Sequence, residues 1–443
     1  MPAFSSFPDA LRRNRLHPSR RSEAGEVLST TSYAPGRRVT TRDECRSLYF
    51  IFLFNQDLLM KKSLIAAALV ASFTCAAHAQ NSVTLYGMID VGMNYVNNVG
   101  GHKQYSMVAG NLSGNRWGLR GAEDLGGGLQ TLFVLENGFS VANGKLGQGG
   151  DEFGRQAYLG FSSSNIGTVT FGRQYDLIND LTYMFVAAQM WGGFASAHPG
   201  DLDNTDGSNH VNNAIKFRSV SYAGLSFAGL YSFGGVAGKF NQNQIWSVGA
   251  NYNLGPLTLG TAFVDARDPN FSYFGNTAAS STTGSNMSGS RVYSGYASAK
   301  SQQIFVAGAS YVVGAATFGV VYSNTQFKDI GTLPGLPATG AGGDAKFHDV
   351  EVNLGYQLTP ALHLGVAYNY LKGYGVNGAT YNQGTIGANY LLSKRTDLYT
   401  VAVYQHASGT DSTGGNAVAN LNGLTASTTQ SQVQVVVGIR HRF

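Results

Sequence analysis

The chain has 443 residues and a net charge of +5, with 58 glycines, 24 tyrosines, 10 prolines and only 12% charged residues. This composition excludes a disordered chain, which would hold fewer aromatic residues and more charge or proline. The positive charge belongs to the first 79 residues, which carry eleven basic and six acidic side chains, whereas the other 364 residues carry 19 of each. The main body therefore lacks the basic excess expected of a nucleic-acid-binding protein.

The first 79 residues divide into two segments. Residues 1–59 are rich in Arg and Ser and show no clear period, which fits a basic nucleic-acid arm, a transit peptide, or an extension that is untranslated or unstructured. We favour the extension, because residues 60–79 have the pattern of a Sec signal peptide: a basic start at Met60, an apolar run, and an Ala-His-Ala cleavage site ending at Ala79. We therefore expect translation to begin at Met60 and the mature chain to begin near Gln80.

The mature region, residues 80–443, has no run of 18 apolar residues, so an α-helix that spans a bilayer is not expected. Both cysteines precede residue 80, so the region has no thiol for a disulfide or a metal. It is soluble in the periplasm, secreted, or a β-barrel. Alternation of apolar and polar residues predicts sixteen strands: 82–96, 113–121, 128–137, 154–162, 166–174, 213–223, 225–233, 244–254, 256–266, 302–313, 315–326, 346–358, 361–371, 379–392, 395–406 and 431–443.

The predicted connections alternate between short turns and longer polar loops. Seven are short (122–127, 163–165, 223–224, 255, 314, 359–360 and 393–394), and eight are mostly long (97–112, 138–153, 175–212, 234–243, 267–301, 327–345, 372–378 and 407–430). Outer-membrane barrels have short periplasmic turns and long external loops, whereas a soluble sandwich has no reason to separate them by end. The sequence predicts a 16-stranded antiparallel transmembrane β-barrel, wide enough to hold water.

The last strand supports closure of this barrel. In Ser431–Phe443, valines and Ile439 alternate with Gln, Gly and Arg, with only Val436 and His441 out of place, and the terminal Phe443 has the apolar parity. Because backbone groups in hydrocarbon must all be paired, this strand should close against the first, 82–96. Tyrosines and phenylalanines near strand ends suit the aromatic girdles of a barrel.

Five stretches resemble the trimeric general diffusion porins of Gram-negative bacteria, particularly the neisserial and β-proteobacterial branch. They are SVTLYGMIDVG (82–92), NRWGLRGAEDLGGGLQTLFVLENGF (115–139), GRQAYLGFSSSNIGTVTFGRQYD (154–176), LSKRTDLYTV (392–401) and GIRHRF (438–443). The resemblance implies an integral outer-membrane homotrimer, in contact with lipid and lipopolysaccharide, for passive diffusion of small hydrophilic solutes and ions. It also implies that the third loop folds into the pore, and that the barrel-assembly machinery reads Phe443. The P-E-F-G-G turn of many relatives is absent from the third loop.

Six basic residues are candidates for the channel wall, where fixed charge sets ion preference. In the second strand, Trp117 and Leu119 point to one face of the sheet, and Arg116 and Arg120 point to the other. An arginine that faces lipid at the middle of the bilayer costs about 2–4 kcal/mol, so we predict that both arginines face the lumen. The complete set is Arg116, Arg120, Arg155, Arg173, Lys216 and Arg218. For Arg155 and Arg173 the alternation does not decide whether the side chain faces the lumen or lies at the membrane interface. These cations predict mild anion selectivity.

Acidic residues are expected opposite this wall, in a constriction loop at 175–212. Asp201, Asp203 and Asp206 crowd one segment of that loop, and Glu136 on the third strand is a further candidate to face the lumen. A solvated loop tip is one alternative for the aspartates, and a calcium loop is another, because Asp-x-Asp-x-x-Asp supplies oxygen ligands. Since the segment lacks the Glu at the twelfth position of an EF-hand loop, we predict no metal site.

Other classes of function find little support. Gly138 and Gly144-Lys145 imitate a phosphate loop with the wrong spacing, and the mature histidines have no metal-ligand spacing. An outer-membrane barrel enzyme would require a Ser-His pair with an orienting residue, and no Gly-x-Ser-x-Gly elbow occurs. A substrate-specific channel is the main alternative, because lumen aromatics cannot be identified from sequence. No enzyme activity, cofactor or nucleic-acid partner is predicted.

Overall fold

A computed structural model describes residues 82–338 and 342–443, so the proposed extension (1–59) and signal peptide (60–79) lie outside the described residues. It contains two short α-helices, α1 (Leu177–Thr182) and α2 (Pro269–Ser272), and short 3-10 or π turns at Gln148–Gly150, Tyr183–Phe185, Ala188–Gly192, Phe194–Ser196, Pro199–Asp201 and Ser294–Tyr296. Across the described ranges, no helix is long and apolar enough to span a membrane. The strands are β1 (Ser82–Val99), β2 (His102–Ala109), β3 (Arg116–Gly126), β4 (Leu129–Gly138), β5 (Gln156–Ser163), β6 (Gly167–Gln174), β7 (Val211–Ser219), β8 (Leu225–Ser232), β9 (Ile245–Leu254), β10 (Leu257–Arg267), β11 (Ser301–Val313), β12 (Ala316–Ile330), β13 (Gly343–Gln357), β14 (Leu362–Gly375), β15 (Thr380–Leu391), β16 (Thr396–Ser408) and β17 (Ser431–Arg442).

The strands form one closed antiparallel sheet. From β3 onward each strand pairs with the next in sequence, and β17 returns to β1 with Met88 opposite Arg442 and Val96 opposite Gln434. The first half of β1 pairs with β3 and its second half with β2, so β2 and β3 together form one interrupted barrel strand. Counted this way the barrel has sixteen strands, and the predicted fold is confirmed.

The two ends of the barrel differ as predicted, with one error. Seven brief turns, the start of β1 and the end of β17 lie at one end of the barrel. The longer loops lie at the other end, and they include residues 139–155, 175–210, 268–300 and 409–430. The long loop expected at 97–112 is wrong, because Gly100 and Gly101, both at positive φ, make a tight hairpin there. The second barrel strand therefore begins at His102, not at 113, and is interrupted by residues 110–115.

The wall follows the period-two rule wherever water fills the interior. On β17 Val437 and Ile439 are exposed on the outside, whereas Gln432 and Gln434 are buried on the inside. On β9–β12 the inward residues are apolar as well, for instance Ile245, Val264 and Ile304. They pack against the loop between β6 and β7, residues 175–210, which we call loop 3. The alternation is weak in these strands because both of their faces are covered by apolar material.

Candidate functional site

Loop 3 begins with α1, which lies along one side of the barrel interior. The Asp176 side chain caps the helix by accepting a hydrogen bond from the Asn179 amide (3.0 Å). Leu177, Ile178 and Leu181 form the apolar face, buried against the inward residues of β8–β12. The described loop spans 175–210, two residues shorter than the predicted constriction loop 175–212, because β7 already starts at Val211.

The middle of loop 3 is fastened to β13. The imidazole of His198 is buried, with Nδ1 2.7 Å from Asp203 and Nε2 3.4 Å from Glu351. Glu351 also accepts a hydrogen bond from the Ala187 amide (2.7 Å). Burial alone would lower the pKa of His198, but the carboxylates of Asp203 and Asp349 raise it well above its usual range. The His198 charge in turn lowers the pKa of Asp203 to about 2, against the effect of burial. Charge pairing therefore holds this part of the loop.

Between loop 3 and the opposite wall lies a polar cavity of about 290 Å³. Three parts of the chain line it: the interruption of the second barrel strand at 110–115, the Arg155 region before β5, and loop 3. The lining residues are Ala109, Gly110, Asn111, Leu112, Ser113, Gly114, Arg116, Gln148, Arg155, Tyr175, Ala188, Gln189, Phe194, Asp206, Gly207, Ser208 and His210. A narrow passage with charged groups on its walls can select solutes by size and charge.

Arg155 is held by a short network on this wall. Its Nε lies 2.8 Å from Glu136 Oε1, and its Nη2 donates to the Tyr175 hydroxyl at 2.5 Å. The other Glu136 oxygen accepts a hydrogen bond from Tyr86 (2.9 Å). Both charges are largely removed from solvent, with side-chain exposures of 12% for Arg155 and 3% for Glu136. Glu136 faces inward, but it neutralises Arg155 rather than adding a free negative charge.

Arg116 lies in the cavity wall without an ion pair among the described residues. It is 3% exposed, and its Nη2 lies 3.8 Å from the Met88 sulfur. Within residues 82–338 and 342–443, neither its Nε nor its Nη1 has a hydrogen-bond partner. A buried guanidinium with unsatisfied donors is costly unless an anion or water meets it. The Arg116 side chain therefore contributes a positive charge to the cavity that it lines.

The other four predicted wall cations lie outside the cavity lining. Arg120 shares the inward face of β3, is exposed, and stands over the Tyr86 ring at 5.2 Å. Lys216 Nζ is taken by Asp180 of α1 at 2.5 Å, and the half-buried Arg218 lies two residues farther along β7. Arg173 donates to the Gly154 carbonyl (2.7 Å) and so connects β6 to the loop between β4 and β5.

Of the three aspartates predicted to face the pore, the structure brings only Asp206 to the cavity. The oxygens of Asp201 accept hydrogen bonds from the Asp206 and Ser208 amides, and Asp203 pairs with His198. A solvated loop tip is therefore wrong, because Asp201 and Asp203 are buried by the loop's own contacts. Across the ranges that the structure covers, no group of three or more His, Cys, Asp and Glu is placed to hold a metal ion.

Burial weakens the negative charge on this side of the cavity. It raises the pKa of Asp206 well above the usual range, and the Asp201 carboxylate raises it further. Burial and the charge of Asp203 also raise the pKa of Asp201, to about 7. The cavity consequently has a permanent positive charge at Arg116 and a weakened negative charge at Asp206.

Several lining residues were not predicted from the sequence. Tyr175 and His210, one at each end of loop 3, are in ring contact, with their centroids 4.4 Å apart and their planes tilted by 41°. His210 is buried, and burial together with the charges of Arg173 and Arg155 lowers its pKa well below the usual range. Of the lining residues at 110–114, the sequence predicts 110–112 as the end of a loop and 113–114 as the start of a strand. The run Gly-Asn-Leu-Ser-Gly-Asn (110–115) is a turn signal that could have revealed the interruption.

Comparisons with known proteins agree with this architecture. A family model described as Gram-negative porin matches residues 66–410. An outer membrane porin protein of Bordetella pertussis is 30% identical over 426 residues, covering 87% of this chain and all of the relative. A major outer membrane protein P.IB of Neisseria meningitidis is 30% identical over 213 residues, or 44% of this chain and 56% of the relative. The solved anion-selective porin from Comamonas acidovorans superposes with a TM-score of 0.64 at 24% identity, covering 82% of this chain and all of that one.

Proposed function

Since this chain belongs to the Gram-negative porin family and forms an integral outer-membrane diffusion channel, we propose that the cavity beside loop 3 is its constriction and that it prefers anions. The observation that carries the proposal is the guanidinium of Arg116, which lies in the cavity wall without an ion pair among the described residues. The only carboxylate lining the described cavity, that of Asp206, has its negative charge weakened by burial. Passage is passive and involves no catalytic step.

Anion preference follows from the balance of these charges. Arg155 and Glu136 nearly cancel each other as seen from the lumen, because their charged atoms lie 2.8 Å apart. Arg116 has no such neutralising contact, so the field in the narrow section is positive and raises the local concentration of anions. Small hydrophilic solutes that carry a carboxylate or phosphate should therefore pass more readily than cations of the same size.

A planar-bilayer recording tests this function. The protein purified from outer membranes is inserted into a bilayer that separates two potassium chloride concentrations, and the reversal potential is measured. We expect step-like conductance and a reversal potential displaced toward the chloride equilibrium value. A displacement toward the potassium value would refute the anion preference. Conductance that saturates with one solute would favour the substrate-specific channel instead.

We also propose that three copies assemble through the side of the barrel with the shortest strands. β5, β6 and β8 have eight residues and β7 has nine, whereas β12 and β13 have fifteen. At a tilt of 45°, eight residues span about 19 Å, which is less than the apolar band of about 25 Å. This side still exposes apolar residues, including Leu159, Phe171 and Phe227. Burial against another copy would resolve the mismatch, and closure of the native channel in three equal steps is the expected result.

Deletion of Phe443 should impair assembly more than conductance. Phe443 N donates to the Gly87 carbonyl and Gly87 N to the Phe443 carbonyl, both at 3.1 Å, so the terminal residue completes the seam between β17 and β1. The loss of two hydrogen bonds costs about 2 kcal/mol, which a finished barrel tolerates. We propose that the barrel-assembly machinery recognises the terminal residue, so its removal should slow insertion.

Pulse-labelling followed by gel electrophoresis with and without heating measures this effect. The heat-modifiable folded form should appear more slowly in the deletion variant, while the channels that do form should keep the conductance of the unaltered protein. Phe443→Tyr, which keeps the aromatic ring and the backbone bonds, serves as the control. Equal folding rates in the deletion variant and the unaltered protein would contradict the assembly role.

A further inference from the structure

The second barrel strand is broken in a way that preserves the wall. Val91 of β1 lies opposite Ala109, and Met88 lies opposite Arg116. Residues 110–115, which we call the inward loop, thus replace the two residues that a continuous ladder would place opposite Ile89 and Asp90. The insertion amounts to four extra residues. Because four is an even number, the inward and outward faces continue unchanged beyond it.

Side chains of the neighbouring strands hold the inward loop inside the barrel. Asp90 Oδ2 accepts a hydrogen bond from the Ser113 amide (2.7 Å), and the Asp90 carbonyl accepts one from the Gly110 amide (2.9 Å). Arg440 of β17 donates to the Ser113 hydroxyl (2.7 Å) and is itself paired with Asp397 at 2.9 Å. The side chains of Asp90, Ser113, Arg440 and Asp397 are all buried. The loop is therefore a fixed structure with its own dedicated contacts.

An apolar contact adds to this attachment. Leu112, at the centre of the inward loop, packs in a buried cluster with Tyr399 and Val436. Val436 is the residue of the last strand that breaks the alternation, since it is apolar on the inward face. Its exception to the pattern is explained by the loop that it supports.

The inward loop also contacts loop 3, on the side of the barrel that β16 and β17 form. The Phe194 amide donates to the Asn111 carbonyl at 2.6 Å. Gly193 has φ +75°, and a Cβ there would lie 2.4 Å from the same carbonyl oxygen, so only glycine permits this approach. Five residues of the inward loop, Gly110 to Gly114, line the cavity together with loop 3. The narrow section is thus bounded by two chain segments that meet at one backbone hydrogen bond.

We propose that the inward loop is a second constriction element, which sets the width of the channel together with loop 3. Asn111 joins the element to loop 3, because its carbonyl accepts the Phe194 amide and its side-chain Nδ2 is buried beside Gly193. Asp90, Ser113 and Arg440 are positioning residues that keep the element in place. This inference rests on the proposed function in one respect, namely that the cavity is the constriction of the channel.

A deletion can remove the element without altering the wall. Removing Asn111–Gly114 shortens the strand by the four extra residues, so Gly110 and Asn115 can pair with Asp90 and Ile89. Asn115 then faces lipid, and the variant therefore also carries Asn115→Leu. Because the conductance of a short constriction rises with its open area, we expect an increase of about twofold or more. Liposome-swelling assays should show entry of larger sugars.

Point variants test the same idea at full chain length. Ser113→Ala removes the hydroxyl that Arg440 binds and should increase open-channel noise, with a smaller gain in conductance. Ser164→Ala is the matched control, because Ser164 is an exposed residue in the turn between β5 and β6. It should leave both quantities unchanged.

A single cysteine gives an independent measurement if the deletion variant does not fold. No cysteine occurs after residue 79, so Gly114→Cys, at a half-buried position that lines the cavity, introduces one unique thiol into the mature region. A charged thiol reagent should attach there and reduce the current by more than half. A folded deletion variant with unchanged conductance and size limit would overturn the proposal, as would a Gly114→Cys protein that stays unmodified or conducts normally after modification. Absence of any channel in the unaltered protein would instead refute the proposed function.

Discussion

Replacing Arg116 with glutamine is expected to lower the anion-to-cation permeability ratio at least about fourfold. A unit charge about 5 Å from a passing ion contributes about 0.8 kcal/mol in water and several times more where water is partly excluded. Arg116 lines the cavity, and among the described residues it has no carboxylate within ion-pair distance. Its charge is therefore offset only by the more distant carboxylate of Glu136, which is already paired with Arg155. The barrel should remain folded, because the substitution removes a buried charge without leaving an ion-pair partner behind.

The paired arginine provides a matched comparison. The double variant Arg155→Gln/Glu136→Gln removes one positive and one negative charge that lie 2.8 Å apart, so the total charge of the wall is unchanged. It should shift the reversal potential much less than Arg116→Gln does. The single variant Glu136→Gln should increase anion preference, because it leaves the charge of Arg155 unbalanced. If the double variant has the larger effect, the selectivity does not depend on Arg116 as proposed.

Replacing His198 with asparagine is expected to release the middle of loop 3. Removing one member of a buried charge pair costs about 3–5 kcal/mol, and here Asp203 and Glu351 would both lose their cationic partner. We expect a lower denaturation midpoint, rapid fluctuations in channel current, and new chymotrypsin cleavage in the aromatic-rich part of the loop. His102→Asn, at the exposed hairpin between β1 and β2, should change none of these. A rigid loop in the His198 variant would contradict the anchoring role.

The same pair sets the pH range in which the loop is held. The pKa of His198 is raised from 6.5, so its contribution to stability is complete below about pH 6.5 and disappears only above the raised value. The pKa of Asp203 is lowered from 3.8 to about 2, so its contribution is complete above about pH 4 and disappears as the pH falls through 2. The contribution of the pair is therefore constant between pH 4 and 6.5, whereas that of Asp201, whose pKa is raised from 3.8 to about 7, declines gradually as the pH rises through this window. Channel noise in the unaltered protein should increase only gradually from pH 4 to 6.5, and a sharp increase within this window would count against the pairing.

The sequence predicts those features that local alternation controls. A lipid face requires an apolar residue at every second position, so Val437 and Ile439 could be assigned to the outside, and the same parity places Arg116 inside. Parity along the strand could not show that Arg116 lacks an ion-pair partner among the described residues. The sequence could not predict that Asp201 and Asp203 are buried away from the pore. Their segment is held through His198 by Asp349 and Glu351, which lie about 150 residues away in the chain. The interruption at 110–115 was missed because weak alternation in β2 hid the strand before it.

The apolar clusters inside the barrel affect how its stability depends on temperature. An empty barrel exposes little new apolar surface to water when it unfolds in detergent, since its outer face stays in contact with apolar molecules. Here α1 and the inward residues of β9–β12 form an internal core like that of a soluble protein. When this core becomes exposed on unfolding, every Å² of its apolar surface adds about 0.45 cal/K/mol to the heat capacity change of unfolding. The stability of this porin should therefore pass through a maximum and decline on cooling as well as on heating.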